Sequence, residues 1–270
     1  MLSKQNPRVK YLRRLASRRF RDREGKFLVE GFRFVDEALK SSFLVEMLIF
    51  CMKAGDTNRG KALLETAALR GIPLMEVEEA LFKELVDTKT PQGVFAVIKR
   101  RQIGIDSLLN SAGPSLLVLV DGVMDPGNLG TIVRSADASG ADGVILLKGT
   151  ADIFNPKALR ATMGSIFHIP VCQDSTVEEV LSFLRRYGIK LVAGAPHCGK
   201  PVFESDLTVS CALVVGSEPR GPGEVVLAGE VEQVCIPMPG RAESLNVAVS
   251  AAVLLYEAVR QRTVKRIRNN

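Results

Sequence analysis

Five consecutive apolar residues, Leu116-Leu117-Val118-Leu119-Val120, followed at once by Asp121-Gly122, constrain this chain more than any other stretch. An alternating run would bury one face of a strand. An unbroken one demands cover on both faces, which is the environment of a strand inside a parallel sheet. Parallel neighbours need crossovers, and the sequence supplies them. The pattern predicts a helix over 129–139, a strand at Gly143–Leu147, a helix at Val177–Tyr187, strands at Lys190–Ala193, Ala212–Val215 and Gln233–Ile236, and a long helix at Leu245–Arg262. Strands alternating with helices give an α/β domain with a mostly parallel sheet covered on both sides. Ligands in such sheets sit beyond the carboxyl ends of the strands, so the loops at 121–130, 194–201, 216–223 and 237–244 are the ones to read for function.

The chain has 270 residues, enough for two cores, and its first hundred form a separate pattern. Residues 5–19 read as a helix with Val9, Leu12 and Leu15 on one face. Strands are expected at Phe27–Val29, Val45–Phe50, Ile72–Met75 and Gly93–Ile98, the last after the turn Thr90-Pro91-Gln92-Gly93, with helices at Phe32–Leu39 and Lys61–Arg70. From Lys99-Arg100-Arg101 to Gly113-Pro114 polarity rises as in a linker. The expected division is 1–104, a smaller α/β domain, and 105–270.

The net charge of +6 is unevenly placed. Residues 1–26 hold ten Lys/Arg against Asp22 and Glu24, residues 260–270 hold five with no acid, and the remainder has 21 basic against 28 acidic residues. Arg13, Arg14, Arg18, Arg19, Arg21 and Arg23 suit a polyanion, because each cation seated on a phosphate releases a condensed counterion. Nucleic acid is the leading partner; a solvated helix face and a frayed tail explain one such cluster equally well.

Other classes lose support. No stretch approaches the roughly 20 apolar residues of a membrane span, and the first residues lack the apolar core of a secretory signal, so a cytoplasmic protein without membrane contact is expected. Five cysteines without a C-x-x-C pair, and only His168 and His197, indicate neither disulfides nor a metal site; the cysteines read as buried thiols. No Walker loop, dinucleotide fingerprint, histidine base, Cys-His pair or paired carboxylates emerge. A reaction in which a reactive cofactor is held in line with a nucleophile needs fewer such groups.

Three of the loops carry unusual residues. In Asp121–Gly130, Asn128 is placed to cap the following helix. Arg134 is then expected within its first two turns, where the macrodipole disfavours a cation, while Ile132, Val133 and Ala136 turn to the core. Gly216-Ser217-Glu218-Pro219-Arg220 follows a strand and offers backbone N–H groups to a polar ligand. In Ile236-Pro-Met238-Pro-Gly-Arg-Ala-Glu-Ser244-Leu245-Asn246, helix capping explains Ser244 or Asn246, not both. The final helix is apolar around much of its circumference. Leu245, Val249, Val253 and Tyr256 form one row and Val247, Ala251, Leu254 and Ala258 another, which suits burial in one subunit or a subunit contact equally.

Asn128-Leu-Gly-Thr-Ile-Val-Arg134, Gly216-Ser-Glu218 and Ile236 to Asn246, in that order, resemble the three motifs of the SpoU/TrmH family of RNA 2′-O-methyltransferases, in the SPOUT superfamily. Asn155 to Ser165 is similar to the family's intermediate motif, and Phe27-Leu-Val-Glu-Gly31 with Thr90-Pro-Gln-Gly93 to its accessory N-terminal domain. The resemblance implies a trefoil-knotted C-terminal methyltransferase domain, S-adenosyl-L-methionine as cofactor, a homodimer and an N-terminal RNA-binding domain. It makes Arg134 the central catalytic group and Asn128 its positioning partner, with Glu218, Ser244 and Asn246 completing the site. Gly216, Ile236 and Leu245 enclose the cofactor, with Gly194 and Met238 beside them. Arg134 serves as a base, or orients a phosphate and stabilises the emerging alkoxide; a guanidinium is a poor base unless strongly perturbed. Pro219 departs from the expected form of the second motif. The two-domain layout favours ribosomal RNA as substrate, with tRNA, or a non-catalytic RNA-binding assembly factor, as alternatives.

Overall fold

The computed structural model describes residues 5–109, 113–195, 200–216, 223 and 230–269. The chain divides into two compact units, one of residues 1–101 with 154–159, the other of residues 102–153 and 160–270.

The first unit opens with two helices, α1 (Pro7–Arg14) and α2 (Arg18–Glu24), where one was expected over 5–19. The break falls at Leu15-Ala16-Ser17, and α2 ends on Gly25 in the left-handed conformation. Val9, Leu12 and Leu15 are buried as the periodicity requires. There follow β1 (Lys26–Glu30), α3 (Phe32–Lys40), β2 (Val45–Cys51), α4 (Met52–Gly55), α5 (Asn58–Leu69), β3 (Leu74–Val77), α6 (Glu79–Leu85) and β4 (Val94–Lys99). The sheet order is β1-β4-β2-β3, antiparallel at β1/β4 and β4/β2 and parallel at β2/β3.

The second unit is a six-stranded parallel sheet: β5 (Leu116–Asp121), β6 (Gly143–Leu147), β7 (Val171–Ser175), β8 (Lys190–Gly194), β9 (Cys211–Gly216) and β10 (Val231–Val234). Its order is β10-β8-β9-β5-β6-β7. The apolar run is β5, buried from Leu116 to Val120. With β6 on one side and β9 on the other, it is the strand at which the winding reverses. Helices α7 (Pro126–Ala138), α9 (Val177–Arg186) and α10 (Val247–Asn269) complete this unit, and α8 (Pro156–Thr162) has its residues up to Leu159 in the first unit and the rest in the second. The last strand lies two residues earlier than the pattern predicts. The last helix starts two residues later and runs seven residues further.

Helix α10 buries Val247, Ala251, Leu254 and Ala258 against α7 and β9. Near its end, Arg262 donates to the carbonyls of Leu207 (3.0 Å), Pro114 (2.8 Å), Ser115 (2.9 Å) and Val209 (2.8 Å). It thereby ties together the entries of β5 and β9. Arg260 pairs with Glu257. The C-terminal basic run is thus helix, and part of it is spent on the fold. Among the cysteines, Cys51, Cys172 and Cys211 are buried, Cys235 is half-buried, and Cys198 lies outside the described residues.

Glu232 on edge strand β10 is clamped by Lys190, Lys200 and Ser205 Oγ, the last at 3.0 Å. Burial works to raise its carboxyl, but the hydrogen bonds from Lys190, Lys200 and Ser205 outweigh it and hold the group at about 2. The folded-state value lies below the ordinary 4.5, so the stabilisation is complete above about pH 4.5 and fades as pH falls toward 2. Glu232→Gln should cost on the order of 2 kcal/mol at neutral pH and flatten the acid limb of the melting profile. Superimposable profiles for variant and wild type would exclude this role.

Candidate active site

The carboxyl ends of β5 and β9 lie side by side at the winding reversal, Asp121 paired in register with Gly216. Two contacts shape the turn after β5. Buried Thr150 donates from Oγ1 to Val120 O (3.2 Å) and accepts from Gly122 N–H (3.1 Å). Asp121 Oδ2 accepts from Gly223 N–H at 2.6 Å, which ties Gly223 to the end of β5. Neither group was singled out from sequence. An aspartate ending an apolar strand is the signal for the second; nothing local marks Thr150.

Asn128 does not cap α7. Asp125 does, accepting Asn128 N–H at 2.9 Å, with Pro126 preorganised at the first helical position. The helix therefore begins three residues before the expected start, and Arg134 lies in its third turn. The dipole penalty expected there is largely absent, because it falls off within the first turn. Arg134 is exposed and has no hydrogen bond or ion pair among the described residues. Its neighbour one turn on, Asp137, faces His168 Nδ1 at 3.2 Å.

Released from capping, the Asn128 side chain reaches across the sequence. Its Oδ1 accepts from Asn246 Nδ2 at 3.0 Å, joining positions 118 apart. Asn246 Oδ1 meanwhile accepts from Ala248 N–H (2.9 Å) and Val249 N–H (3.4 Å), which makes Asn246 the cap of α10. One side chain thus starts the last helix and docks the first motif on the third. Ser244 is exposed just before it. Glu218 and Pro219 lie outside the described residues.

The residues expected around a cofactor gather at the same end of the sheet. Gly194 ends β8, Gly216 ends β9, and Ile236, Met238 and Leu245 are half-buried in the segment from β10 to α10. A Cβ on Gly194 would lie 3.0 Å from Leu254 Cδ1, so a side chain at this strand end would press on that methyl of α10. Bare backbone beside half-covered apolar side chains fits a purine ring, whose faces are apolar and whose edge carries donors and acceptors.

The six arginines expected to bind RNA do not form one surface. Arg21 is 3% exposed, with its guanidinium donating to the carbonyls of Leu15 (3.1 Å) and Ala16 (2.6 Å). It secures the break between α1 and α2, which removes it from the expected RNA-binding set. Arg13 pairs with Glu84, and Arg18 lies 3.6 Å from Asp22. Arg14 and Arg23 stack on Phe20, at 4.1 and 4.6 Å from the ring centroid, and remain exposed together with Arg19. Among the described residues no group of His, Cys, Asp and Glu could hold a metal, and no helix is long and apolar enough to cross a membrane.

Residues 115–256 match the SpoU rRNA Methylase family and residues 6–96 the MRM3-like substrate binding domain. The chain belongs to the SpoU rRNA methylase family. It is 38% identical to the 23S rRNA (guanosine(2553)-2′-O)-methyltransferase RlmP of Bacillus subtilis (strain 168), over 94% of this chain and 96% of that protein. Its fold is similar to the crystal structure of the SpoU methyltransferase AviRb from Streptomyces viridochromogenes, with TM-score 0.87 and 33% identity over 96% of this chain and 99% of that one. The AviRb complex with AdoMet is similar at TM-score 0.86 and 32% identity, with the same coverage.

The double duty of Asn246 permits a clean separation. Asn246→Asp keeps an oxygen to cap α10 but loses the donor to Asn128. Melting temperature should stay near that of the wild type while methyl transfer falls about 10-fold or more, as expected when a positioning contact is lost. Asn246→Ala should lose about 1 kcal/mol of stability besides. Unchanged transfer by Asn246→Asp would show that the Asn128 contact is idle.

Proposed function

We propose that this chain transfers a methyl group from S-adenosyl-L-methionine to a ribose 2′-hydroxyl of ribosomal RNA. The observation that carries this reading is the Asn128–Asn246 hydrogen bond, which unites two family motifs at the sheet end where a ligand crevice is expected. The relatives support it: RlmP is named for 2′-O-methylation of 23S rRNA, and AviRb is described in complex with AdoMet. A ribosomal RNA substrate places the work in the cytoplasm.

The cofactor supplies a methyl group on a sulfonium, electrophilic without further activation. The protein's tasks are to align the 2′-oxygen and to meet the charge that develops on it. Ile236, Met238 and Leu245, with the backbone at Gly194 and Gly216, would hold the cofactor. Arg134, unencumbered on α7, presents a planar fork that orients a phosphate and stabilises the negative charge on the 2′-oxygen as its proton passes to solvent, the C–O bond forms and the methyl–sulfur bond breaks. Asn128 is positioned by Asn246, while Glu218 and Ser244 complete the proposed set. In this reading residues 105–270 carry the family's trefoil knot and perform the chemistry. Residues 1–104 select RNA, with Arg14 and Arg19 the most available cations, since Arg23 is paired with Glu24 at 3.0 Å. The second subunit docks on the outer stripe of α10, where Val249, Val253 and Tyr256 are 48%, 37% and 53% exposed.

Arg134→Ala should lower transfer about 10²–10³-fold, the usual cost of deleting one preorganised donor, with melting temperature and cofactor affinity unchanged. Arg134→Lys tests whether charge or the planar fork matters. Near-wild-type turnover in Arg134→Ala at saturating substrates would remove the residue from the mechanism. Mapping 2′-O-methyl marks after incubation with labelled cofactor and total RNA decides the substrate. Marks confined to tRNA would replace ribosomal RNA, and intact cofactor binding without transfer would identify an assembly factor. In sedimentation, the wild type should be a dimer at micromolar concentration and Val253→Asp a monomer; a wild-type monomer would refute the docking stripe.

A further inference from the structure

A cavity of about 190 Å³ lies wholly within the first unit, walled by Phe32, Cys51, Lys53, Phe82, Gln92 and Gly93. A single water needs about 10–15 Å³ on such a measure, so the space admits on the order of a dozen atoms, the size of one nucleobase. Gly93 is required in its wall. Its φ is +80°, and a Cβ there would lie 2.6 Å from Cys51 Sγ and 2.7 Å from Ala54 Cβ.

The polar groups at the cavity are specifically disposed. Gln92 Oε1 accepts the Phe32 N–H at 2.9 Å, which fixes the amide and leaves Nε2, without a partner among the described residues, as a donor. Lys53 is exposed and makes no ion pair within 4 Å among the described residues, although its charge, with that of Lys83, acts on the Glu79 carboxylate in the same wall; Lys83 is held by Glu79 at 2.8 Å. Phe32 is half-buried, with the Arg59 guanidinium 5.8 Å from its ring centroid. An aromatic wall, an oriented amide donor and an exposed cation at the rim are what an unstacked base and its phosphate require. The surroundings agree in charge: residues 1–101 carry 21 Lys/Arg against 13 Asp/Glu, a net +8.

We propose that this cavity is a base-reading subsite that takes one unstacked nucleobase of the RNA substrate against Phe32, with Gln92 Nε2 donating to a base carbonyl and the adjoining phosphate on Lys53. The proposal rests on the RNA reading above and deepens it, because it assigns recognition to a single nucleotide other than the methylated one. Backbone contacts by exposed arginines position an RNA but carry no sequence information; a base in a pocket does.

The test is a binding scan with the full-length protein and a 23S rRNA fragment in which each nucleotide in turn is made abasic. One position, distinct from the methylated one, should raise Kd about 10-fold, the scale of one lost stacking contact. Gln92→Glu keeps the acceptor for Phe32 N–H while removing the donor, and Phe32→Leu removes the ring. Each should weaken binding of the intact fragment and lose most of its sensitivity at that one position, the signature of direct coupling, with the melting temperature of Gln92→Glu unchanged. Variants that weaken every abasic fragment equally would reduce the cavity to a cationic surface and overturn the proposal. Unchanged RNA affinity with weakened binding to ribosomal particles would assign the cavity to a protein segment and overturn it as well. The scan reads binding and not turnover, so the two readings fail separately. Position-specific binding without methyl transfer would sink the enzymatic reading alone, and methyl transfer with a flat scan would sink the subsite alone.

Discussion

Strand β5 pairs with β6 on one side and β9 on the other, and all three are buried along nearly their whole length. A strand in that position has no face or edge left for solvent, so it must be apolar throughout and must meet water only at its ends. Because every strand of the sheet is parallel, the carboxyl ends lie together, and the chain leaves β5 and β9 in opposite winding directions. The crevice that results is a consequence of topology before any functional residue is considered. Asp121 sits at its edge, and its carboxylate draws Gly223 back to the end of β5.

The same crevice explains how few side chains organise the site. A helix start leaves N–H groups that need acceptors, and α7 and α10 both start at this end of the sheet. At α7 the cap is Asp125, which frees Asn128; at α10 the cap is Asn246, whose amide also carries a donor. An aspartate at 246 would cap as well but could not donate, and a serine would not reach as far. The sequence offers Asn128 as the cap of α7 and either Ser244 or Asn246 at the last helix, and the actual division of labour exists only once both helices are placed. Arg134 gains from this arrangement indirectly. With the helix start moved three residues back, its charge stands clear of the unfavourable end of the dipole and free of any anionic partner among the described residues.

What could be read from the sequence follows from where burial is complete. The strands β5, β6, β8 and β9 are apolar runs because both their faces and both their edges are covered, and each was placed within a residue or two. The sheet edges were harder. Strand β7, Val171-Cys-Gln-Asp-Ser175, is too polar to announce itself, and β10 was displaced by two residues, because an edge strand keeps one side in water and so retains Glu232 and Gln233. Short helices such as α6 have too few turns for a periodic signal. The start of α7 was misjudged because Pro126-Gly127 reads as a breaker, although proline suits the first helical position. Among the six N-terminal arginines, the letters alone do not separate Arg21, which braces a chain break through two carbonyls, from Arg19, which faces solvent. That difference is set by the turn between α1 and α2, a tertiary fact. The motif residues were legible through resemblance; that Asn128 and Asn246 touch was not, since their spacing along the chain carries no distance information.

The partition of charge gives the two units different physical roles. Residues 1–101 have a net +8, so the remaining 169 residues have a net −2. A near-neutral unit gains little from long-range attraction to a polyanion, whereas a strongly basic one raises the local concentration of RNA and speeds its arrival. Attraction of that kind is indifferent to sequence and is screened over about 8–10 Å at physiological salt. It brings RNA to the protein without choosing a nucleotide. The cations of the first unit are also partly spent internally, on Glu84, Asp22, the Phe20 ring and the carbonyls held by Arg21, so the attraction is weaker than the formal charge implies. Selection of one ribose among the thousands in a ribosome must therefore come from short-range contacts, in which a donor or an aromatic ring finds a partner on one base and leaves a buried group unsatisfied on the others. At the Phe32–Gln92 cavity the Gln92 amide is fixed by the Phe32 backbone N–H before any ligand arrives, which reduces the entropy lost on binding.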